Sequence, residues 1–241
     1  MVLGDRMAGW ARNQGLPEEH IAVIPNWADG ETVVPIAHAD NALRAAWGLT
    51  GRFVVAYSGN LGRAHDYTTL LDAVERLQEE KDIEFLFIGG GHRHAELQAE
   101  VRARRLDRVR WLPYQRRERL SESLGAADVH WVSLRPELEG LIVPSKIYGV
   151  LAAGRPVLFV GDSAGEIGSL LRRRVCGMTL AIGQGEEMAA AILRLRDSPD
   201  LCRTMGRNAR IAFDAGYARD YRFEAWRALL ARLEVTPPSG A

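Results

Sequence analysis

The sequence has only two cysteines, Cys176 and Cys202, and they do not form a CxxC spacing. A disulfide framework and a thiolate zinc site are therefore not expected, and both read as core thiols in a reducing compartment. Charge of one sign is also lacking: 31 Lys and Arg balance 31 Asp and Glu. No global field recruits nucleic acid, and membrane contact is expected to be peripheral at most. No apolar run approaches the ~20 residues of a bilayer-spanning helix. Met1–Arg6 lack the basic-then-apolar pattern of a secretory signal, so a cytoplasmic location is the expectation. A GxGxxG fingerprint, a DxD run near the glycine-rich loops and a His/Asp/Cys grouping with metal spacing are all missing. Hence no metal and no resident cofactor is expected. The short basic run Arg172–Arg174 reads as a solvated helix end, with cations near the negative end of the helix dipole.

What is present is a regular alternation. Hydrophobic residues make up 47% of the 241 positions and charged ones 26%, the balance of an ordinary globular chain. Asp5–Asn13 has helical spacing, His20–Ile24 reads as a short strand closed by Pro25, 30–40 as a linker and 40–47 as a helix. Strands are then expected at 53–57, 84–88, 108–112, 128–133 and 156–160, with a weaker sixth at 177–182. Helices are expected from Asp66, from about Arg93, at 116–124 and at 145–153, and a helical tail over 186–234. Strands apolar throughout are buried on both faces, and their alternation with helices implies an α/β fold with a doubly wound parallel sheet. The last helix carries Phe223, Trp226, Leu229 and Leu230 as an apolar stripe, and 236–241 reads as a disordered tail.

In such a sheet, ligands bind outside the carboxyl ends of the strands. Ser58-Gly59-Asn60-Leu61-Gly62 and Gly89-Gly90-Gly91 are glycine-rich βα turns through which backbone amides can approach an anion. Arg63 and His65 follow the first and are candidates to neutralise a diphosphate, with simple solvent exposure as the competing reading. The densest region is Arg135 to Lys146: Glu137, Glu139 and Gly140, then Pro144 and Ser145 opening a helix with Lys146 in its first turn. A lysine there opposes the helix dipole unless an anion offsets it, and a carboxylate such as Glu139 accepts hydrogen bonds from sugar hydroxyls.

Several segments in order resemble the retaining nucleotide-sugar glycosyltransferases of family four, which have the two-domain GT-B fold. They are Val23–Asp29, Tyr57–Gly62, Phe87–Gly91, Ala126–Val129, Glu139-Gly140, Pro144-Ser145-Lys146, Leu151–Val157 and Met205–Arg210. The resemblance spans nearly the whole chain and is to the Rossmann-like C-terminal, donor-binding half. It implies that Glu139 contacts the donor sugar, with Gly140, Leu141 and Ser145 beside it. The Gly59, Asn60 and Gly62 loop would hold the diphosphate, assisted by Arg63 and Lys146. Gly89, Gly90, Pro113 and Tyr114 would flank the base. The co-substrate would be a UDP- or GDP-linked sugar, transferred with retention to a glycan or lipid-linked acceptor, by a hexosyl-type enzyme. Two departures stand out. The family's second glutamate, which binds the ribose, matches Gly149, five positions before Gly154, so that carboxylate is missing; the Pro-Ser-Lys variant suggests that Lys146 takes part of the load. The family's acceptor-binding domain is also missing, since two such domains need roughly 300–400 residues.

The expected organisation is a remnant of the interdomain crossing over 1–40, a nucleotide-sugar-binding domain over 41–215, and a crossing helix over 216–235. The acceptor would then meet a missing or separate N-terminal domain, and this chain alone would be inactive. The alternative is a non-catalytic nucleotide-sugar-binding subunit that docks on a separate acceptor-binding subunit.

Overall fold

In the computed structural model, residues 1–234 are described; the expected tail at 236–241 lies outside the described residues. Six parallel strands form one sheet: β1 (Phe53–Asn60), β2 (Ile83–Gly90), β3 (Val109–Leu112), β4 (Val129–Ser133), β5 (Val157–Val160) and β6 (Gly177–Leu180). Their order is β3-β2-β1-β4-β5-β6. The helices are α1 (Asp5–Asn13), α2 (Ala42–Ala46), α3 (Thr68–Arg76), α4 (His94–Ala103) and α5 (Leu120–Gly125). They continue with α6 (Lys146–Ala152), α7 (Glu166–Arg174), α8 (Gly185–Asp197), α9 (Pro199–Asp214) and α10 (Arg219–Glu234). This is the expected α/β, doubly wound Rossmann-like architecture with a helical tail.

The strands are apolar on both faces because both are covered. Val55, Tyr57, Phe85 and Phe87 pack with Leu70 and Val74 of α3, Leu97 of α4 and Ile192 of α8. On the opposite face Val54 and Ala56 meet Ala126 and Ala127, while Val132, Val157 and Phe159 meet Ile147, Leu151, Ile167 and Phe213. Side chains alternate between faces with a period of two, so each strand feeds both layers.

Three details depart from expectation. His20–Ile24 is no sheet strand: Glu18–His20 make a single helical turn and Val23 forms only an isolated bridge to Val2. Pro17 and Pro25 bracket the segment, and proline cannot propagate a ladder. β1 and β2 run on through Asn60 and Gly90, pairing Gly59 with Gly89 and Asn60 with Gly90. The two glycine-rich turns are thus ladder partners, and the loops begin later. The linker at 30–40 is pinned: Ser121 Oγ accepts from Val34 N (2.9 Å) and donates to the Thr32 carbonyl (2.7 Å), and Arg155 donates to the Ile36 carbonyl (2.8 Å).

From β1 the chain winds outward through β2 to β3, then returns across the sheet to β4 on the other side of β1. The connections diverge between β1 and β4, and this switch point leaves a crevice at the carboxyl ends of the strands.

Candidate functional site

The crevice is a cavity of about 480 Å³ lined by the end of β1 (Ser58, Gly59, Asn60), by Tyr114 and Gln115 after β3, and by α5 through Ser123 and Leu124. The loop into α6 completes it, from Ile142 to Lys146, with His65 and Gly149. Among the described residues no carboxylate lines it, and Lys146 is its one fully ionisable cation. Two other crevices of similar size, about 520 and 550 Å³, open toward the amino ends of β1, β4 and β5. Much of their charge is paired internally: Asp128 with Arg44 (3.1 Å), Arg196 with Glu80 and Asp82, Arg210 with Asp214 (3.0 Å).

Lys146 is partly buried at the start of α6. Its stem lies over Gly59 (φ +129°), where a Cβ would stand 3.5 Å from Lys146 Cε, in van der Waals contact. The ammonium lies 4.7 Å from the centre of the Tyr57 ring, a cation–π contact, and that tyrosine is fixed by donating its hydroxyl hydrogen to the Asn60 carbonyl (2.7 Å). Burial pulls the Lys146 ammonium down to about 8. An ammonium without a counter-charge beside an acid-free cavity favours an anion there.

His65 is buried, not exposed. Its Nδ1 lies 2.6 Å from the Ser133 carbonyl oxygen and its Nε2 2.9 Å from Lys146 Nζ. A carbonyl can only accept, so Nδ1 carries the proton and Nε2 offers its lone pair to the lysine. Burial, then the Lys146 charge, pushes His65 down to about 4. The imidazole is neutral at ordinary pH, which removes the sequence reading of His65 as a cation for a diphosphate.

Of the residues singled out from sequence, Gly59, Asn60, Tyr114, Ser145 and Lys146 line this one cavity, and so does Gly149. Ser145 makes no side-chain hydrogen bond at the start of α6, leaving its hydroxyl free for other partners. Gly89 and Gly90 lie beside Tyr114, a Cβ on Gly90 standing 3.5 Å from its ring. Gly89 (φ +122°) also serves packing: its Cβ would meet the Gly59 carbonyl oxygen at 2.6 Å. Gly91 (φ +131°) would collide with the backbone of Leu61. Gly89 and Gly91 are therefore required by strand-to-loop contact whatever the ligand, while a side chain at Gly90 would face Tyr114. Gly62 and Arg63 stand just outside the cavity lining, Arg63 exposed. Pro113 is exposed, and its carbonyl accepts from Gln115 Nε2 (2.8 Å).

Glu139, Gly140 and Leu141 lie on the α1–α7 side. Glu139 Oε1 accepts from the Glu166 amide (2.7 Å) at the first turn of α7. Burial raises its carboxyl pKa, as do neighbouring Asp162 and Glu166, against that amide's opposing pull. Gly140 (φ +82°) packs under Arg6 and Trp10, where a Cβ would stand 3.2 Å from the Arg6 carbonyl oxygen. Leu141 is exposed. Ser58, the first residue of the glycine-rich stretch, lines the cavity too, and Gln115 and Ser123 line it without any sequence signal. Ser123 sits mid-helix, and its hydroxyl is buried with no partner among the described residues.

The sequence model of the family described as Glycosyl transferases group 1 matches residues 52–198. The chain is 28% identical over 166 residues to an Escherichia coli K12 protein assigned to colanic acid biosynthesis as glycosyl transferase WcaI, covering 68% of this chain and 40% of that one. It is 31% identical over 175 residues to the probable glycosyltransferase WbjE of Pseudomonas aeruginosa, covering 71% and 42%. The chain thus spans less than half the length of these relatives. Among solved structures, Anabaena HepE in complex with UDP-glucose superposes with a TM-score of 0.78 at 20% identity, over 95% of this chain and 63% of that one. That likeness shows a shared fold.

Proposed function

The chain belongs to the glycosyl transferases group 1 family, and from that premise we propose that it forms the donor-binding part of a hexosyl-type glycosyltransferase. It would take a UDP- or GDP-linked sugar at the carboxyl ends of β1 and β4 and pass the sugar on with retention. One observation carries the reading: among the described residues the switch-point cavity is lined by Lys146 and by no carboxylate. The complex of HepE with UDP-glucose, a protein of the same fold, supports a nucleotide-sugar as the ligand class.

In this reading the diphosphate lies against Lys146 and the exposed edge of Gly59-Asn60, with Ser145 within the same wall. When the sugar leaves, negative charge grows on the terminal phosphate, and a preplaced ammonium in a partly dry site stabilises that charge. Arg63 at the rim adds a mobile cation. Tyr114, beside Gly89 and Gly90 and next to Pro113, offers a face for the base. Glu139 with Gly140 and Leu141 lies toward α1, where the sugar and its acceptor would meet. Gly149 leaves the ribose without a carboxylate partner. The acceptor, a glycan or lipid-linked sugar, would be held by a separate N-terminal domain, so the chain alone would bind the donor without transferring its sugar. A cytoplasmic site of action, where nucleotide-sugars are made, fits this role, and among the described residues no helix is long and apolar enough to cross a membrane.

Calorimetric titration of the purified chain with UDP and with GDP tests the reading. Binding of one of them is expected, weakened at least about tenfold, or ~1.4 kcal/mol, by Lys146→Ala. Absence of binding to both nucleotides would overturn it.

A further inference from the structure

We propose that His65 is a positioning residue for the donor site: as the Nδ1–H tautomer anchored on the Ser133 carbonyl, it holds the Lys146 ammonium toward the cavity through its Nε2 lone pair. The inference rests on the proposed role of Lys146 and adds a residue to it.

Three contacts define where Lys146 Nζ can go. The Tyr57 ring lies 4.7 Å away, and Gly59 lies beneath the stem. Among these, His65 Nε2 at 2.9 Å is the one directional acceptor. A carboxylate in its place would also hold the lysine, but it would cancel the charge that a diphosphate needs. A neutral imidazole fixes direction and leaves the charge uncompensated.

The imidazole is itself immobilised. Its Nδ1 is 2.6 Å from the carbonyl of Ser133, the last residue of β4. The Ser133 hydroxyl donates to the Asp66 carbonyl (2.7 Å), and the guanidinium of Arg93 donates to the carbonyl of His65 itself (3.0 Å). The Tyr57 ring packs edge-on against the imidazole, with centroids 6.1 Å apart. The lysine on α6 is thereby referenced to the ends of β1 and β4, the two strands that define the switch point. Burial holds the imidazole neutral, with its proton-loss range near 4, so the lone pair persists through the physiological range.

Two substitutions separate the two nitrogens. His65→Asn retains a donor for the Ser133 carbonyl and is too short to reach Lys146. His65→Gln places an amide oxygen near the Nε2 position, where it accepts from Lys146. With UDP titrated by calorimetry near pH 7, His65→Asn is expected to weaken binding about tenfold, and His65→Gln to restore most of that loss. In a Lys146→Ala background, His65→Asn is expected to change UDP affinity no further, because its effect passes through the lysine. The ¹⁵N spectrum of wild-type imidazoles should show His65 protonated at Nδ1 alone, which is readable even where a variant fails to fold. An Nε2–H or doubly protonated His65, or wild-type affinity in His65→Asn, would overturn the proposal. Equal losses with and without Lys146 would do so as well, since they would mark a merely structural histidine. If the wild type binds UDP in a Lys146-dependent way and His65→Asn is silent, only this inference fails. If the wild type binds neither UDP nor GDP, the donor-site reading fails with it.

Discussion

The charge state of one lysine would govern the proposed donor site. Lys146 has its ammonium pulled down to about 8 by burial, and a bound diphosphate would draw it back up. The sign follows: in the free protein the charged form is present below about 8 and lost above it, so binding must take up a proton at higher pH. UDP affinity is therefore expected to be flat from about pH 7 to 7.5 and to fall by up to about tenfold per unit above the free pKa. Titrations across that range check this, and Lys146→Arg, which stays protonated, should flatten the profile. Glu139 carries a second residue-scale expectation. Its carboxylate accepts from the Glu166 amide, so Glu139→Ala should cost about 0.5–2 kcal/mol of stability as a lost helix cap. Glu139→Gln keeps a carbonyl acceptor and should retain most of that stability. A loss of affinity for the nucleotide-sugar but not for the bare nucleotide in Glu139→Gln, with an unchanged melting temperature, would separate sugar contact from capping.

At the scale of elements, the two glycine-rich turns behave as a unit. β1 and β2 pair through Gly59–Gly89 and Asn60–Gly90, and the Leu61 amide donates to the Gly90 carbonyl (2.7 Å). Gly91→Ala places a Cβ into the Leu61 backbone at φ +131°, with an expected loss of about 1–3 kcal/mol from the backbone conformation alone. Urea unfolding measures it. Gly62→Ala meets only Asn60 Nδ2 at 3.7 Å and should be much milder. The glycine clusters were legible as backbone-approach signals in the sequence, yet what approaches Gly91 is another stretch of this chain. That partner lies 30 positions away and is invisible without the strand register.

For the molecule as a whole, the ligand crevice joins strands on both sides of the switch point, so occupancy should stabilise the entire sheet. UDP at a hundredfold excess over its Kd is expected to add about 2.7 kcal/mol, raising Tm by roughly 5–11 °C for a chain of this size. In Lys146→Ala at the same UDP concentration the shift should fall to about half or less, since a tenfold weaker Kd leaves about 1.4 kcal/mol. A second face bears on transfer. Trp10 on α1 is exposed beside Gly140, and Phe223 on α10 is exposed and meets Trp27 edge-on at 5.7 Å. This is where the proposed acceptor-binding domain would sit, and addition of that domain is expected to turn a nucleotide-sugar binder into a transferase.

The order of strands and helices, their burial on both faces and the resemblance to a sugar-transferring family were readable from the amino-acid sequence, because they depend on local periodicity and on short ordered motifs. Gly149 was singled out by the family resemblance, as the position of a missing glutamate, and it lines the cavity. Only the tertiary structure decided which candidates share a cavity. Glu139 and Lys146 are seven positions apart, yet Glu139 accepts from the Glu166 amide of α7 while Lys146 lines the cavity. His65 reads as a cation along the chain, but folding buries it between the Ser133 carbonyl and a lysine 81 positions away. Desolvation and the Lys146 charge then make it neutral, and both are properties of contacts that no local pattern encodes.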